Sequence, residues 1–393
     1  MNKSFFPILI VVLVAVFSCK NQQNTETADA KYVIEFDDDH FVDVKDIVSD
    51  IQIIELDTAT NSILPGITNI TIIDDTLYCF TSSKGGYVNK YTMDGKYIGS
   101  IKHIGHSHEE WVDASNMYIN PQEKNIIISD RGSMRGMLYN FDGSFINDCK
   151  LSVYDSFDIF YDKGLFYSQS NLFYTDGKIG SEIDHILKVF DKQGELIEKH
   201  IPTTHIGFHM SEDIRGQFSW GCDHFLFSPT LYETVYALDS GKVYPYITYN
   251  YKGTKEDFYT DEEVVESLKD PYDLLGEKAF YNGTVVESPQ YIIRRIGYNN
   301  AIDVIYDKTS HKTYTTQFYN ASMGEYNFSD YLLYEHPLCY YKGRYYAHFQ
   351  HFHLGLPDEY LGDNVPEILK PYIEKVRKGQ VNQILVSYKI NIK

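Results

Sequence analysis

Three histidines, His103, His106 and His108, fall within one short stretch, IKHIGHSHEEW, that also carries Glu109, Glu110 and Trp111. Imidazoles beside carboxylates can ligate a transition metal or move protons as general acid and base. His106 and His108 with Glu110 therefore form the candidate catalytic set, for a lyase or a hydrolase. Trp111 offers a second chemistry, because an exposed indole beside carboxylates can stack on a sugar ring and hydrogen-bond at its rim. Asp130 and Arg131, together with His205, His209, His351 and His353, complete the candidate ligand-binding residues.

Each of these has a plainer reading beside it. Loop histidines are commonly solvated polar residues, a tryptophan commonly packs against a neighbouring element, and Asp130 and Arg131 can pair with each other. The chain carries no HExxH and no Gly-rich phosphate loop, so no metal is assigned and the cofactor is left open. The pair Arg294-Arg295 sits in a strand-like run, which sends its side chains to opposite faces. Structural pairing is the favoured account of both, with a place in a central channel as the alternative.

What positions these residues is a repeat. A strand, a tight Gly-containing turn and a second strand recur at Tyr87 to Ile101, Gly136 to Cys149, His185 to Ile201 and Glu233 to Ile247. The turn glycines Gly95, Gly143, Gly194 and Gly241 are 48, 51 and 47 residues apart, the length of one four-stranded sheet with its loops. A weaker copy spans Ala301 to Tyr319, and Asn382 to Ile390 is a half-copy. Ahead of each lies another hairpin: Asn69 to Phe80, Asn116 to Asp130, Ser156 to Ser170, Gly216 to Pro229, Gly283 to Ile296 and His336 to Phe349. The expected fold is all-β, a six-bladed β-propeller of four-stranded antiparallel blades with short helical insertions. The sixth blade lacks a strand, which Asp50 to Thr58 can supply, so that the two ends of the chain close the ring.

Thirty-five Tyr and 23 Phe suit pleated, half-buried sheets. A net charge of −20 repels phosphate backbones and anionic headgroups, which excludes nucleic acid as the partner. Residues 1–18 read as a signal peptide, with Lys3 as the charge and an apolar run too short to span a bilayer. Cys19 is then the lipidated residue of a bacterial lipobox. Residues 19–42 are read as a flexible tether and 43–393 as the propeller. The remaining cysteines, Cys79, Cys149, Cys222 and Cys339, fall in four different blades and are expected to be small buried hydrophobes.

The lipobox, the strand IQIIELDT, the sequence TIIDDTLYCF, the motif YTMDGKYIGSI and the segment IKHIGHSHEEW together resemble the six-bladed β-propeller lipoproteins of the Bacteroidetes. That family is related to NHL-like and TolB-like propellers. The resemblance implies an outer-membrane lipoprotein of the cell envelope, facing either the periplasm or the cell surface. In that family the last segment tends to read as a Gly-Pro-Gly-Glu loop, and here histidines replace most of it.

Propeller topology also sorts the loops. The turns within each hairpin are short, whereas the other face carries Ser168 to His185, His200 to Arg215, Tyr249 to Lys278, Phe318 to His336 and Gln350 to Gln380. Two inserts look helical: one from about Thr260 to Lys278, and one that places Pro366 early in the helix. Loops on a rigid scaffold carry function. The expected role is a binding module whose insertion face meets a glycan, a peptide or an envelope protein, the membrane being reached through the N-terminal lipid. Catalysis by the His/Glu loop is the alternative.

Overall fold

The computed structural model describes residues 29–392 apart from residues 38, 153–157, 171–173, 176–177, 180–184, 203–216, 231, 254–280, 298–301, 319–330, 358–360 and 362–364. The segment read as a signal peptide, Cys19, His205, His209 and the first of the two expected helical inserts lie outside the described residues.

Six sheets form the body, each with at least four strands. Blades 1 to 5 each follow the chain outward from the axis, beginning at Asn69, Ala114, Asp158, Phe218 and Tyr281. Blade 6 runs Cys339–Tyr341, Arg344–Phe349 and Ile384–Ile390, and its outermost strand is Val48–Glu55 from the other end of the chain. That strand pairs antiparallel with Ile384–Ile390, from Val48 opposite Ile390 to Glu55 opposite Ile384. The ring is a six-bladed propeller, closed as the unpaired strand near Asp50 implies.

The glycine repeat has a local cause. Gly95, Gly143, Gly194 and Gly241 all have φ between 84° and 94°, a conformation that L side chains rarely adopt. At Gly95 the close approach of the neighbouring blade adds a second constraint, since a Cβ there would collide with the Glu55 carbonyl. The residues that alternate with the turns pack between blades: Ile126, Ile128, Met137 and Tyr139 in one cluster, Ile292, Val304 and Val285 in another.

The N-terminal segment is more ordered than a tether. Tyr32–Phe36 is a strand that pairs parallel with the outermost strand of blade 4, Tyr32 opposite Ile247 through Phe36 opposite Tyr251. Ile34 and Phe36 are buried there while Val33 and Glu35 face solvent. The chain then bridges to blade 5, where the Val42 N–H donates to the Thr315 carbonyl at 2.8 Å and the Thr315 N–H to the His40 carbonyl at 3.1 Å. The short helix Val44–Ile47 follows and leads into blade 6. The expected tether of residues 19–42 thus ends before Tyr32, because its alternating apolar side chains find a sheet edge to cover.

The second helical insert is Lys370–Arg377. It starts later than Pro366 implies, with Pro371 in the first turn, where a missing N–H costs no hydrogen bond. All four described cysteines are free thiols; Cys79 and Cys149 are buried, Cys339 is half-buried and Cys222 is exposed, so Cys222 departs from the buried-hydrophobe reading. It sits in the hairpin turn of blade 4, where its N–H donates to the Glu287 carboxylate at 3.2 Å.

The N-terminal strand makes a stability prediction. Ile34→Ala should cost about 2–5 kcal/mol, whereas Val33→Ala, on the solvent face of the same strand, should stay within about 0.5 kcal/mol. Denaturant midpoints of the two variants test whether this strand belongs to the cooperative unit.

Candidate functional site

Among the described residues, the connections between blades and the middle loops of blades emerge on one face. Its best-defined sector is the connection from blade 1 to blade 2, residues 102–113, where the histidine-rich segment lies. Trp111 is fully buried, and its indole N–H donates to the Gly86 carbonyl at 2.9 Å. It stands edge-on to Tyr139 and His103, and His103 stacks on Tyr139 at 5.4 Å between centroids. The expectation of an exposed sugar-stacking indole is therefore corrected. An apolar slot between two blades takes the ring, and packing rather than recognition fixes it.

Around that ring the loop is tied down. Arg135 donates to the His108 carbonyl at 2.9 Å and to the Glu110 carbonyl at 2.6 Å, and it pairs with Asp148 at 3.0 Å. The Tyr139 hydroxyl donates to the Glu109 carbonyl at 2.9 Å. Asp130 is buried and accepts the backbone N–H groups of Val112, Asp113 and Gly132 at 3.1, 2.8 and 3.1 Å. It is a brace of the loop instead of a ligand contact. Arg131 is exposed and pairs with Asp113 at 3.3 Å, not with Asp130.

Within this rigid loop His106 and His108 are exposed, and the His108 ring lies edge-on to Phe145. Glu110 turns the other way and accepts the Ser107 N–H at 3.0 Å, which holds its carboxyl below the usual carboxylate range. The catalytic trio is thus adjacent in sequence, yet Glu110 is spent on the backbone of its own loop. Among the described residues no group of three or more His, Cys, Asp or Glu could hold a metal ion.

A second sector of the same face is built by blade 6. His351–Gly355 forms a 3-10 turn after the second strand, leading to the helix Lys370–Arg377. His353 is buried and His351 half-buried, and burial holds both imidazoles below their ordinary value and so neutral. Between them Phe352 is 59% exposed, and Ile368 and Ile63 are 41% and 53% exposed. Ile63 belongs to the connection from blade 6 to blade 1. That connection is fastened to the base of the insert, where Asn382 accepts the Leu64 N–H at 2.9 Å and Gln383 donates to the Leu64 carbonyl at 2.9 Å. Three large apolar side chains thus stand in solvent on two joined loops.

Two buried charged groups were not singled out from the sequence. Asp158 opens the innermost strand of blade 3 and accepts the Tyr118 hydroxyl of blade 2 at 2.6 Å and the Gln217 N–H of blade 4 at 3.0 Å. Asn116 donates to the same hydroxyl at 3.0 Å, and Asn69 of blade 1 donates to the Met117 carbonyl at 2.8 Å. A polar chain therefore crosses four blades at the loop-face end of the axis. Burial pushes the Asp158 carboxyl up to about 7, against the hydrogen bonds it accepts. Its Oδ1 has no partner.

Asp303 is the opposite case. Burial pushes it up, but the Arg295 and His336 charges outweigh that and hold it at about 2. Arg295 reaches it with two nitrogens at 3.1 and 3.2 Å, and His336 lies 2.7 Å away. Arg294 points to the other side, donates to the Tyr232 carbonyl at 2.9 Å and lies over the rings of Tyr249 and Tyr281. Both arginines thus serve structural contacts between strands and blades. The signal available in sequence was the charge itself, one acid in SFDIFYD and one in AIDVIYD where a strand should begin apolar.

The chain belongs to the family described as a domain of unknown function, DUF4934, whose model matches residues 31–362. Among solved structures it is similar to a Bacteroides fragilis protein described as exported, with a TM-score of 0.71 and 17% identity, covering 92% of this chain and 100% of that one. It is also similar to a member of the DUF4221 family from Bacteroides vulgatus, with a TM-score of 0.51 and 10% identity, covering 88% of this chain and 98% of that one. None of the curated proteins matches the sequence.

Asp158 gives a prediction with a definite sign. An aspartate of ordinary pKa, near 3.9 when unfolded, holds its proton up to about 7 in the fold. The folded state therefore binds more protons between roughly pH 4 and 7, and this group's contribution falls as pH rises through that window. Asp158→Asn should gain melting temperature relative to the parent as pH goes from 5 to 8. A constant difference across that range would contradict the assignment.

Proposed function

We propose that this protein is a binding module of the bacterial cell envelope that captures a polypeptide partner through its loop-bearing face. The observation that supports this most directly is the set of exposed apolar side chains Phe352, Ile368 and Ile63 on two loops joined by hydrogen bonds. Apolar and aromatic residues enrich the cores of protein interfaces, and aromatic anchors dominate their energetics. Loops on the opposite face are two- to five-residue turns of mostly polar residues, such as Asp74-Asp75 and Lys342-Gly343.

A peptide or protein is favoured over a glycan because the indole that would stack on a sugar is buried. The histidine loop, with His106, His108 and Arg131 exposed on a framework pinned by Trp111 and Arg135, supplies a polar rim. We place the protein in the outer membrane, held by lipid on Cys19 with residues 20–31 as the tether. The lipobox and the similarity to a protein described as exported support that location.

The folded body from Asp29 onward, immobilised on beads, should retain a partner from detergent extracts of envelope membranes. Phe352→Asp with Ile368→Asp should reduce that capture at least about tenfold, the equivalent of about 1.4 kcal/mol, while Lys342→Glu on the other face should leave it unchanged. Capture insensitive to the paired change, or retention of oligosaccharide alone, would overturn this reading.

A further inference from the structure

The axis of the propeller holds a void of about 100 Å³ that the loop-face reading does not use. Five of the six innermost strands line it. Blade 3 is the exception, because Tyr118, Phe218 and Phe225 from its neighbours pack over Phe160, with the Phe225 ring centroid only 3.7 Å away. That aromatic block fills one side of the axis and leaves the void toward blades 1, 5 and 6. Its lining mixes aliphatic and aromatic residues, Ile70, Ile72, Val286, Trp220 and Tyr340 among them, with uncharged polar ones such as Asn69, Thr71 and Ser219.

Two features narrow what such a void accepts. The lining residues include no Asp, Glu, Lys, Arg or His, although charged residues make up 23% of the chain. A charged ligand would lose its hydration there without gaining a counter-charge. The innermost strands also turn one unpaired backbone edge toward the axis, which offers N–H and C=O groups to a single polar substituent. In size, an apolar cavity of roughly 150 Å³ accepts one benzene ring. The void here is about two-thirds of that volume, so a single ring fits only by extending toward the half-exposed ends of the strands that line it.

The ends of the axis differ. At the loop-face end the chain of bonds from Asn69 through Asn116, Tyr118 and Asp158 to Gln217 draws four blades together. At the other end lie the apolar and aromatic residues Ile73, Pro121, Trp220 and Tyr340, partly exposed as Thr68 and Asn69 are at the loop-face end. From this geometry we infer that the central channel is a second binding site, for a small uncharged single-ring aromatic bearing one hydroxyl. Trp220, Phe225 and Tyr340 supply the edge and face contacts that aromatic rings prefer.

The test is a fluorine-NMR titration of the purified protein with 4-fluorophenol and, in parallel, 4-fluorobenzoate. The phenol should saturate with a Kd on the order of 1 mM or tighter, in keeping with the affinity a ligand of so few atoms can reach. The benzoate should bind at least about tenfold more weakly. Thr71→Phe, at a half-buried lining position, should abolish phenol binding with little loss of melting temperature. Phe352→Asp should leave phenol binding unchanged, which separates this site from the partner face. No saturation by the phenol, equal binding of the benzoate, or retained binding in a folded Thr71→Phe protein would each overturn the assignment.

Discussion

The pairing of Val48–Glu55 with Ile384–Ile390 is the contact on which everything else in the ring depends. A propeller blade buries its faces only against its two neighbours, so an open ring leaves two blades half-covered. Here the closing blade takes three strands from one end of the chain and one from the other, and the six backbone pairs in that ladder hold the circle shut. The core follows from it: Leu385 packs with Ile54, Leu77 and Tyr91 across the seam between blades 6 and 1. On the other side of blade 6, Val386 and Tyr388 pack with Ile293 and Ile305 of blade 5. Closure by distant segments also costs loop entropy that only long-range packing repays.

The N-terminal segment extends the same logic around the rim. Before reaching blade 6 it pairs with blade 4 and touches blade 5, so three consecutive blades share one strap. An outermost strand presents unpaired N–H and C=O groups that would otherwise invite another chain. The parallel strand Tyr32–Phe36 covers such an edge, and its buried Ile34 and Phe36 join the cluster between blades 4 and 5. Inside the ring the blades are joined differently, by single polar groups placed where a strand begins. Asp158 links three blades through a hydrogen-bonded carboxyl, and Asp303 pairs with Arg295 of its own blade and with His336 from the approach to blade 6. These contacts do not add much net stability against a well-packed apolar alternative, but they penalise any register in which the partners miss one another.

Much of the architecture was legible because it rests on local rules repeated in sequence. The positive-φ glycines mark the turns, the alternating apolar residues mark the hairpins, and the strand without a partner at each end implies closure. YVIEF was equally patterned, with Tyr32, Ile34 and Phe36 on one face, yet its partner lies more than 200 residues away and runs parallel. No local signal names such a partner, so the strand reads as part of a tether. The candidate site was legible by residue type and not by orientation. Trp111 sits in a loop sequence and Asp130 ends the second strand of blade 2, but the loop folds back into the gap between blades and over that carboxyl, so both side chains are buried. Exposure is a tertiary property, and the pattern HSHEEW does not encode which of its side chains the neighbouring blade will claim.

That loop shows how the two faces come to differ. A connection between blades must leave the outermost strand of one and return to the axis at the innermost strand of the next, whereas a hairpin turn need only reverse direction. The first path crosses the whole radius of the disc and passes over the seam, so it can bury anchors such as Trp111 and Leu64 in the seam while its remaining residues stand above it. The second path has no seam to cross and stays short on the opposite face, whereas on the loop face the connection between the second and third strands of blade 6 is extended into the insert that carries Phe352 and Ile368. Apolar side chains can therefore be displayed on the loop face at little cost to the fold, because the anchors, not the displayed residues, hold the loop. Phe352, Ile368 and Ile63 stand exposed on segments fixed by Leu354, Leu369 and Leu64, which are buried at 0%, 0% and 2%. Sequence change at the displayed positions is then decoupled from ring stability, and the specificity of such a module can vary while the propeller beneath it stays the same.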